Sequence, residues 1–292
     1  MRLLFFISLF SLLLHAQSIL VINSNSNVKK YTEAVDEFGK NFNKPFKTVD
    51  ISSMNNKEIK KHLYDEYPDI VYTVGAKAYQ YANEYIPEKE IYFSSIVDWK
   101  KLSLKNNRYG VSNELHSGMQ LTLAKSIFNN IKTIGVIHSK YSQNLVNDLR
   151  RDGGPLGITI RSVKIDEDSV NGIRFDDSIK QCDAMMILPD PLFLNNEEAV
   201  KAVFRVSKEH KKPVIAYHEL FLQYGAMLVI SVDNPTIGRQ IASMIESHIH
   251  NEVIEKIQYP AGTNIIFNKK EALLIGVDFN QESSSFVSEV LE

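Results

Sequence analysis

Short, unbroken apolar runs alternate with amphipathic stretches along this chain, and that alternation constrains the fold more than any single motif. "SILVIN" (Ser18 to Asn23) precedes a helical stretch from Val28 to about Phe42. "FKTVDI" precedes one from Asn56 to Tyr64, "DIVYTVG" one from Ala76 to Tyr85, and "EIYFSS" closes the first series. A strand that is apolar at every position has no face to offer water, so it must be covered on both sides, and helices returning between such strands make the sheet parallel. The pattern then restarts. "TIGVIH" (Thr133 to His138) leads to a helix from about Ser142 to Arg151, "GITIRSV" to a segment around Asp176 to Gln181, and "DAMMIL" to Glu197–Glu209, before "KPVIAY" and "AMLVISV" complete the series. Two such series, each about 100 residues long, predict an α/β chain of two Rossmann-like, doubly wound lobes.

"NPTIGRQIASMIESHIH" follows as a strong helix, with Pro235 near its start and Ile237, Ile241, Met244, Ile245 and Ile249 on one face. "KIQYPAGTNIIFN" supplies two short strands, and the polar tail over 281–292 is expected to pack poorly. A hydrophobic content of 44% over 292 residues is ample for buried cores. The net charge of −2 is spread without long like-charge runs, which argues against a nucleic-acid or anionic-membrane partner.

The first sixteen residues read as a cleavable secretory signal. Arg2 precedes a run from Leu3 to Leu14 that is apolar except for two serines, and Leu14-His15-Ala16 suits cleavage after Ala16. Twelve helical residues span roughly 18 Å, well short of the roughly 30 Å hydrocarbon core, so a permanent anchor is the weaker reading. Cys182 is the single cysteine, which leaves neither an internal disulfide nor a lipid-anchor cysteine at the cleavage point. An untethered exported protein is best retained in a closed compartment, so the expected location is the periplasm.

Ligands of open parallel sheets collect outside the carboxyl ends of the strands. In the first series those ends are Asn23-Ser24-Asn25-Ser26, Gly75-Ala76 and Ser94 through Trp99. In the second they are His138 through Tyr141, Pro189-Asp190-Pro191, Tyr217-His218-Glu219 and Asp233-Asn234. Two such rims facing each other would be rich in hydroxyls, carboxylates and aromatics. The Pro-Asp-Pro elbow holds its carboxylate on stiff, extended backbone.

In order along the chain, "YTVGAKAYQYA", "IYFSSIVDW", "RYGVSNE", "KTIGVIHSKYSQ", "DAMMILPDP", "KPVIAYHELFLQYGAMLVISVD" and "TIGRQIASMI" resemble the landmarks of a periplasmic substrate-binding family of ABC transporters. It is the type I group that includes tryptophan- and tyrosine-binding members. The resemblance runs from about Ser18 to Asp278. It implies a type I periplasmic binding protein fold, with a hinge between an N-terminal lobe of 18–112 plus 235–256 and a C-terminal lobe of 113–234 plus 257–280. It also implies that the helix from Thr236 to His250 packs back on the first lobe. The partners it implies are a small-molecule ligand, often an aromatic or other amino acid, and an ABC permease in the inner membrane, served by a monomer without cofactor. Position by position, the implied ligand-facing residues are Asn25, Gly75, Ala76, Val97, Asp98, Tyr141, Pro189, Asp190, Tyr217, His218 and Asp233. The chain departs from the pattern at Lys77, after Gly-Ala, and at Trp99, where a proline commonly follows "VD".

A zwitterionic ligand needs both an anion site and a cation site. The helix start at Gly75-Ala76 suits a carboxylate, and Asp190 or Asp233 suits an ammonium group. Each residue also has a structural reading. Gly75 can be a plain strand-to-helix turn, Asp233 can cap the helix opening at Pro235, and Asp190 can form a turn. For Asp190, Asn195 or Asn196 is the better-placed cap for the helix beginning near Glu197. Of the rim aromatics Trp99, Tyr141, Phe193, Tyr217 and Tyr224, one or two would sandwich a flat ligand while the others pack.

His218-Glu219 beside Asp190 lacks a nucleophile motif, so catalysis is not expected. His248 and His250, two apart at a helix C-terminus, suit the helix dipole better than a metal. "DGGPLG" (Asp152 to Gly157) lacks the downstream Lys-Ser/Thr of a phosphate loop and reads as a helix stop. Transport is the first reading; reporting ligand to a membrane sensor kinase is the alternative, and the fold does not separate them.

Overall fold

The computed structural model describes residues 17–97, 99–102, 104–165, 176–277 and 279–292. The expected signal segment, 1–16, lies outside the described residues. The chain divides into two compact units: the residues up to Gly110 with Ile241–Ile257, and Val111–Gln240 with Gln258–Glu292.

In chain order the elements begin with β1 (Ile19–Asn23), α1 (Lys29–Asn41), β2 (Lys47–Asp50), α2 (Asn56–Glu66), β3 (Ile70–Val74), α3 (Ala76–Tyr85), β4 (Glu90–Ser94) and β5 (Arg108–Val111). There follow α4 (Ser117–Ile127), β6 (Thr133–His138), α5 (Gln143–Gly153), β7 (Thr159–Lys164), α6 (Asp176–Lys180), β8 (Ala184–Met186), α7 (Pro191–Leu194) and α8 (Glu197–Glu209). The chain closes with β9 (Val214–Ala216), β10 (Leu228–Val232), α9 (Asn234–Ile249), β11 (Ile257–Gln258), β12 (Thr263–Asn268), α10 (Lys269–Ile275) and β13 (Glu289–Leu291).

The first unit carries a six-stranded sheet in the order β11-β5-β4-β3-β1-β2. Its central strands β1 and β3 are buried at every position and pair in parallel, Ile22 opposite Thr73. One face packs Leu20, Ile22, Val71, Ile91 and Phe93 against Ile59 and Leu63 of α2 and Ala78 and Ala82 of α3. α2 starts where Asn55 accepts the Lys57 and Glu58 N–H groups and Glu58 reaches back to the Asn55 N–H, a reciprocal capping box. α9 begins in the second unit, but from Ile241 onward it belongs to the first. There the His248 ring nitrogen Nδ1 lies 2.7 Å from the Tyr92 hydroxyl, a histidine engaged in packing.

The second unit carries a seven-stranded sheet in the order β13-β12-β10-β9-β8-β6-β7. Successive residues of one strand enter opposite cores. Val136, Met186, Leu228 and Ile230 pack with Leu121 and Ala124 of α4. Their neighbours Ile137, Met185 and Val229 pack with Val203 and Phe204 of α8. This is the two-sided burial that the unbroken apolar runs require.

Two features depart from the sequence reading. The tail is packed at its end: β13 pairs in parallel with β12, Phe267 opposite Val290, and Val287 and Leu291 rest against the two cores. Polar composition concealed it because an edge strand keeps much of its surface in water, while its ladder bonds cover β12's open side. β5 was not anticipated either, since "RYGV" opens on a charge. Its Arg108 is fully buried. Nε and Nη2 donate to the Asn83 Oδ1 (3.1 and 2.9 Å), and the guanidinium also reaches the backbone oxygens of Pro87 (2.9 Å), Lys89 (3.0 Å) and Asn107 (3.0 Å).

Arg108 therefore pins the α3–β4 connection to β5. Arg108→Met strands those acceptors, and with about 1–3 kcal/mol for each buried group left unpaired it is expected to lower unfolding free energy by at least about 2 kcal/mol in urea titrations. An unchanged midpoint would show the arginine to be dispensable.

Candidate functional site

Where a parallel strand leaves its sheet, the turn must find partners for backbone amides that the ladder no longer serves. On the first unit, β1 exits through a run of short polar side chains. Asn23 Oδ1 accepts the Asn25 N–H at 3.0 Å, and Asn25 Oδ1 accepts the Asn27 N–H at 2.9 Å. Asp50, at the end of the neighbouring β2, accepts the Ser26 N–H at 2.8 Å and the Ser52 N–H at 2.7 Å. Burial pushes the Asp50 carboxyl up, but hydrogen bonds from Ser26 and Ser52 outweigh it and hold the group well below the usual carboxylate range.

β3 exits at Gly75, whose φ of +88° favours glycine and whose N–H donates to the Ser94 oxygen at 3.0 Å. A Cβ there would lie 2.7 Å from Ser24 Oγ and 2.9 Å from Tyr31 Cζ. The glycine is thus required by Ser24 and Tyr31, which occupy the space above it. Ser24 Oγ accepts the Ala78 N–H of α3 at 2.9 Å. Ala76 and Val97 are exposed on this edge, and Asp98 lies outside the described residues.

On the second unit, the strand order β10-β9-β8-β6 brings the exits at Asp233, Tyr217-His218, Pro189-Asp190 and Ser139-Tyr141 side by side. Asp190 is completely buried. One carboxylate oxygen accepts the Leu192 N–H at 2.9 Å and the other accepts the Ser139 N–H at 2.8 Å. The sequence reading set aside a capping role for Asp190 because Asn196 caps α8. Asn196 does so, accepting the Ala199 N–H at 3.0 Å. Between them, however, stands the one-turn helix α7, and Asp190 caps that. The correction is that the Pro-Asp-Pro elbow clasps the exits of β8 and β6, with both oxygens held by backbone amides.

Asp233 is likewise a cap: it accepts the Thr236 N–H at 3.0 Å and the Thr236 hydroxyl, with Arg239 Nη2 at 3.5 Å. His218 is exposed and its Nδ1 accepts the Leu220 N–H at 3.0 Å, which leaves Nε2 as the outward-facing nitrogen. Tyr217 is half-buried against Phe221, and burial, reinforced by the Asp190 charge, pushes its hydroxyl up to about 12, so it stays a neutral donor at physiological pH. Tyr141 is 47% exposed, with Lys140 Nζ 5.0 Å above its ring. Pro189 is half-buried, its oxygen 3.5 Å from the Ser142 hydroxyl. Phe193 is a core residue, Tyr224 donates to Glu197 at 3.2 Å, and Trp99 rests against the first unit's core.

The family model for ABC transporter substrate binding proteins matches residues 25–290. The chain belongs to that family. A search of the curated proteins returns no match. Among solved structures, this substrate-binding chain is similar to the ligand-free, open form of a substrate-binding protein with adhesive properties from Clostridium difficile. The two share 18% identity and a TM-score of 0.73, covering 94% of this chain and 99% of that one. An ABC domain from Streptococcus pneumonia in complex with L-Trp matches at 18% identity and a TM-score of 0.58, and a conserved domain protein from Vibrio cholerae at 16% and 0.57, each with the same coverage. These likenesses establish the fold: two parallel-sheet units of the type I periplasmic binding class.

In this substrate-binding protein, sequence reasoning missed Asp50 and placed Ser24 only within the strand-end run, though both organise the first unit's edge. The signal available was position alone, since both sit at strand ends and neither has a distinctive neighbour. The clasp makes Asp190→Ala a stability variant: two buried amides lose their acceptor, at about 1–3 kcal/mol each. Its urea midpoint should fall substantially, and a midpoint equal to that of the wild type would remove the clasp. Asp50 adds an acid limb. Its stabilising contribution is complete above the carboxyl's unfolded value of roughly 4 and is lost as pH falls through the lower folded value. Asp50→Asn should therefore flatten the pH dependence of the melting temperature between about pH 4 and pH 2, and an identical acid limb in the variant would refute the assignment.

Proposed function

We propose that the chain is an exported, periplasmic solute receptor that takes up a small ligand, an aromatic or other amino acid, on the carboxyl edges of its sheets and delivers it to an ABC permease. It performs no chemistry of its own. The family match over 25–290 carries this reading, and the edge geometry supports it. Among the described residues of the two edges, those with exposed surface include Ala76 and Val97 on the first unit and Tyr141, Tyr217 and His218 on the second. They combine backbone amides, a neutral phenol, an imidazole and apolar surface, a set suited to an uncharged flat or apolar body with a polar end. Asn25, Asp190 and Asp233 shape these edges by holding the turns. The L-Trp complex of the pneumococcal relative is consistent with an aromatic ligand.

Micromolar capture corresponds to about 8 kcal/mol, within reach of a few charge-assisted hydrogen bonds and one buried aromatic face. A thermal-shift screen against amino acids and small carboxylates tests the reading, because a ligand that binds only the native state raises the midpoint with concentration. Aromatic amino acids are expected to raise it. If they leave it unmoved while other solutes raise it, the ligand class changes and the receptor role stands.

A further inference from the structure

The second unit's sheet ends on a strand whose outer side is unused. β7 stands last in the order β13-β12-β10-β9-β8-β6-β7, and among the described residues no strand pairs with its far edge. Its register with β6 runs unbroken from Thr159 opposite Thr133 to Lys164 opposite His138. At the two ends of that ladder the Thr159 N–H donates to the Lys132 oxygen and the Ile165 N–H to the His138 oxygen, each at 2.8 Å. Backbone groups alternate in direction along a strand, so the odd-numbered residues serve β6 and the N–H and C=O groups of Ile160, Ser162 and Lys164 face outward. Neither a proline nor a bulge interrupts this edge.

A cavity of about 360 Å³ adjoins the same strand, a volume within the range of binding pockets. The buried Ile137 and Met185 and the half-buried Val163 give it apolar wall, and the exposed Arg150 and Arg161 give it basic wall. Arg150 Nη2 donates to Ser162 Oγ at 2.6 Å, and Arg161 Nη1 donates to Gln181 Oε1 at 2.5 Å. Each guanidinium is thus oriented by a neutral side chain, and among the described residues neither lies within ion-pair distance of a carboxylate. Asp177 is the one acid in the lining, so with Lys164 beside it the edge is basic.

We propose that the outer edge of β7 is a docking site for an extended acidic segment of a partner polypeptide, which adds to the sheet as a further strand. Main-chain bonds to Ile160, Ser162 and Lys164 hold the segment, one large apolar side chain enters the cavity, and flanking carboxylates pair with Arg150 and Arg161. The charges choose the occupant. Pairing with β7 of a second copy sets arginine and lysine against their own kind, whereas an acidic strand meets complementary charge. The site lies along a strand of the second unit and not at the strand ends, so it stands or falls apart from the receptor reading.

The test is fluorescence anisotropy with a fluorescein-labelled Glu-Glu-Leu-Glu-Glu peptide amide on the full mature chain at low ionic strength. The peptide is expected to bind, its Lys-Lys-Leu-Lys-Lys counterpart to fail, and Glu-Glu-Ala-Glu-Glu to bind at least about fivefold more weakly. Arg150→Gln and Arg161→Gln should each weaken capture at least about threefold. Ser162→Pro removes an outward N–H that β6 does not use, and proline is tolerated on edge strands; it should cost at least about tenfold, against less than about threefold for Ser162→Ala. Amide hydrogen exchange on the wild type reads the same contact without a variant. Adding the peptide should slow exchange at Ile160, Ser162 and Lys164 at least about tenfold and leave Thr159, Arg161 and Val163 as they were. Failure of the acidic peptide to bind overturns the site, as does equal binding of the lysine peptide. Binding that leaves the three outward amides exchanging at their original rates shows a charged patch without strand addition, and also overturns it.

Discussion

A strand covered on both faces must satisfy its last backbone groups inside the turn that leaves it, and this requirement shapes both units. At the carboxyl edges the ladder ends, water is partly excluded, and the exposed amides need acceptors. The chain supplies short polar side chains at each exit: Asn23 and Asn25 after β1, Asp50 after β2, Ser139 after β6, Asp190 after β8, His218 after β9 and Asp233 after β10. Most of the acids and amides at these edges are consequently parts of the scaffold. The turns are thereby tied to the strands they leave.

The same requirement decides what kind of chemistry is left over. With Asp190 and Asp233 holding backbone amides, the second unit's edge offers a phenol, an imidazole and aromatic or apolar surface. The first unit's edge offers the opening amides of α3 and the exposed Ala76 and Val97. The family is one of substrate-binding proteins, and surfaces of this composition suit the capture of a solute.

Much of the fold was legible along the chain. The apolar runs gave up their central strands because two-sided burial leaves room for few polar positions, and α8 and α2 were read to within a turn because their caps and amphipathic faces are local. β5 and β13 were not legible. "RYGV" and "SEVLE" are edge or near-edge segments whose pairing depends on which neighbour needs a partner, and Arg108 is buried only because Asn83 and three backbone oxygens converge on it. The strand-end residues fall on both edges, but the sequence did not show that Asp190 caps α7 and holds the exit of β6, because an aspartate beside a proline reads the same in either role.

The sequence by itself determined the α/β class, the two series of parallel strands, the edges where polar residues gather and the family to which the chain belongs. These follow from periodicity, from local capping and from motifs read in order. Only the tertiary structure decided that Asp190 joins two strand exits, that Gly75 yields its space to Ser24 and Tyr31, and that β7 stands at the edge of its sheet. Those outcomes depend on which strands lie side by side and in what register. Register is a property of the packed sheet, and residues distant in sequence acquire their hydrogen-bond partners only when it is set.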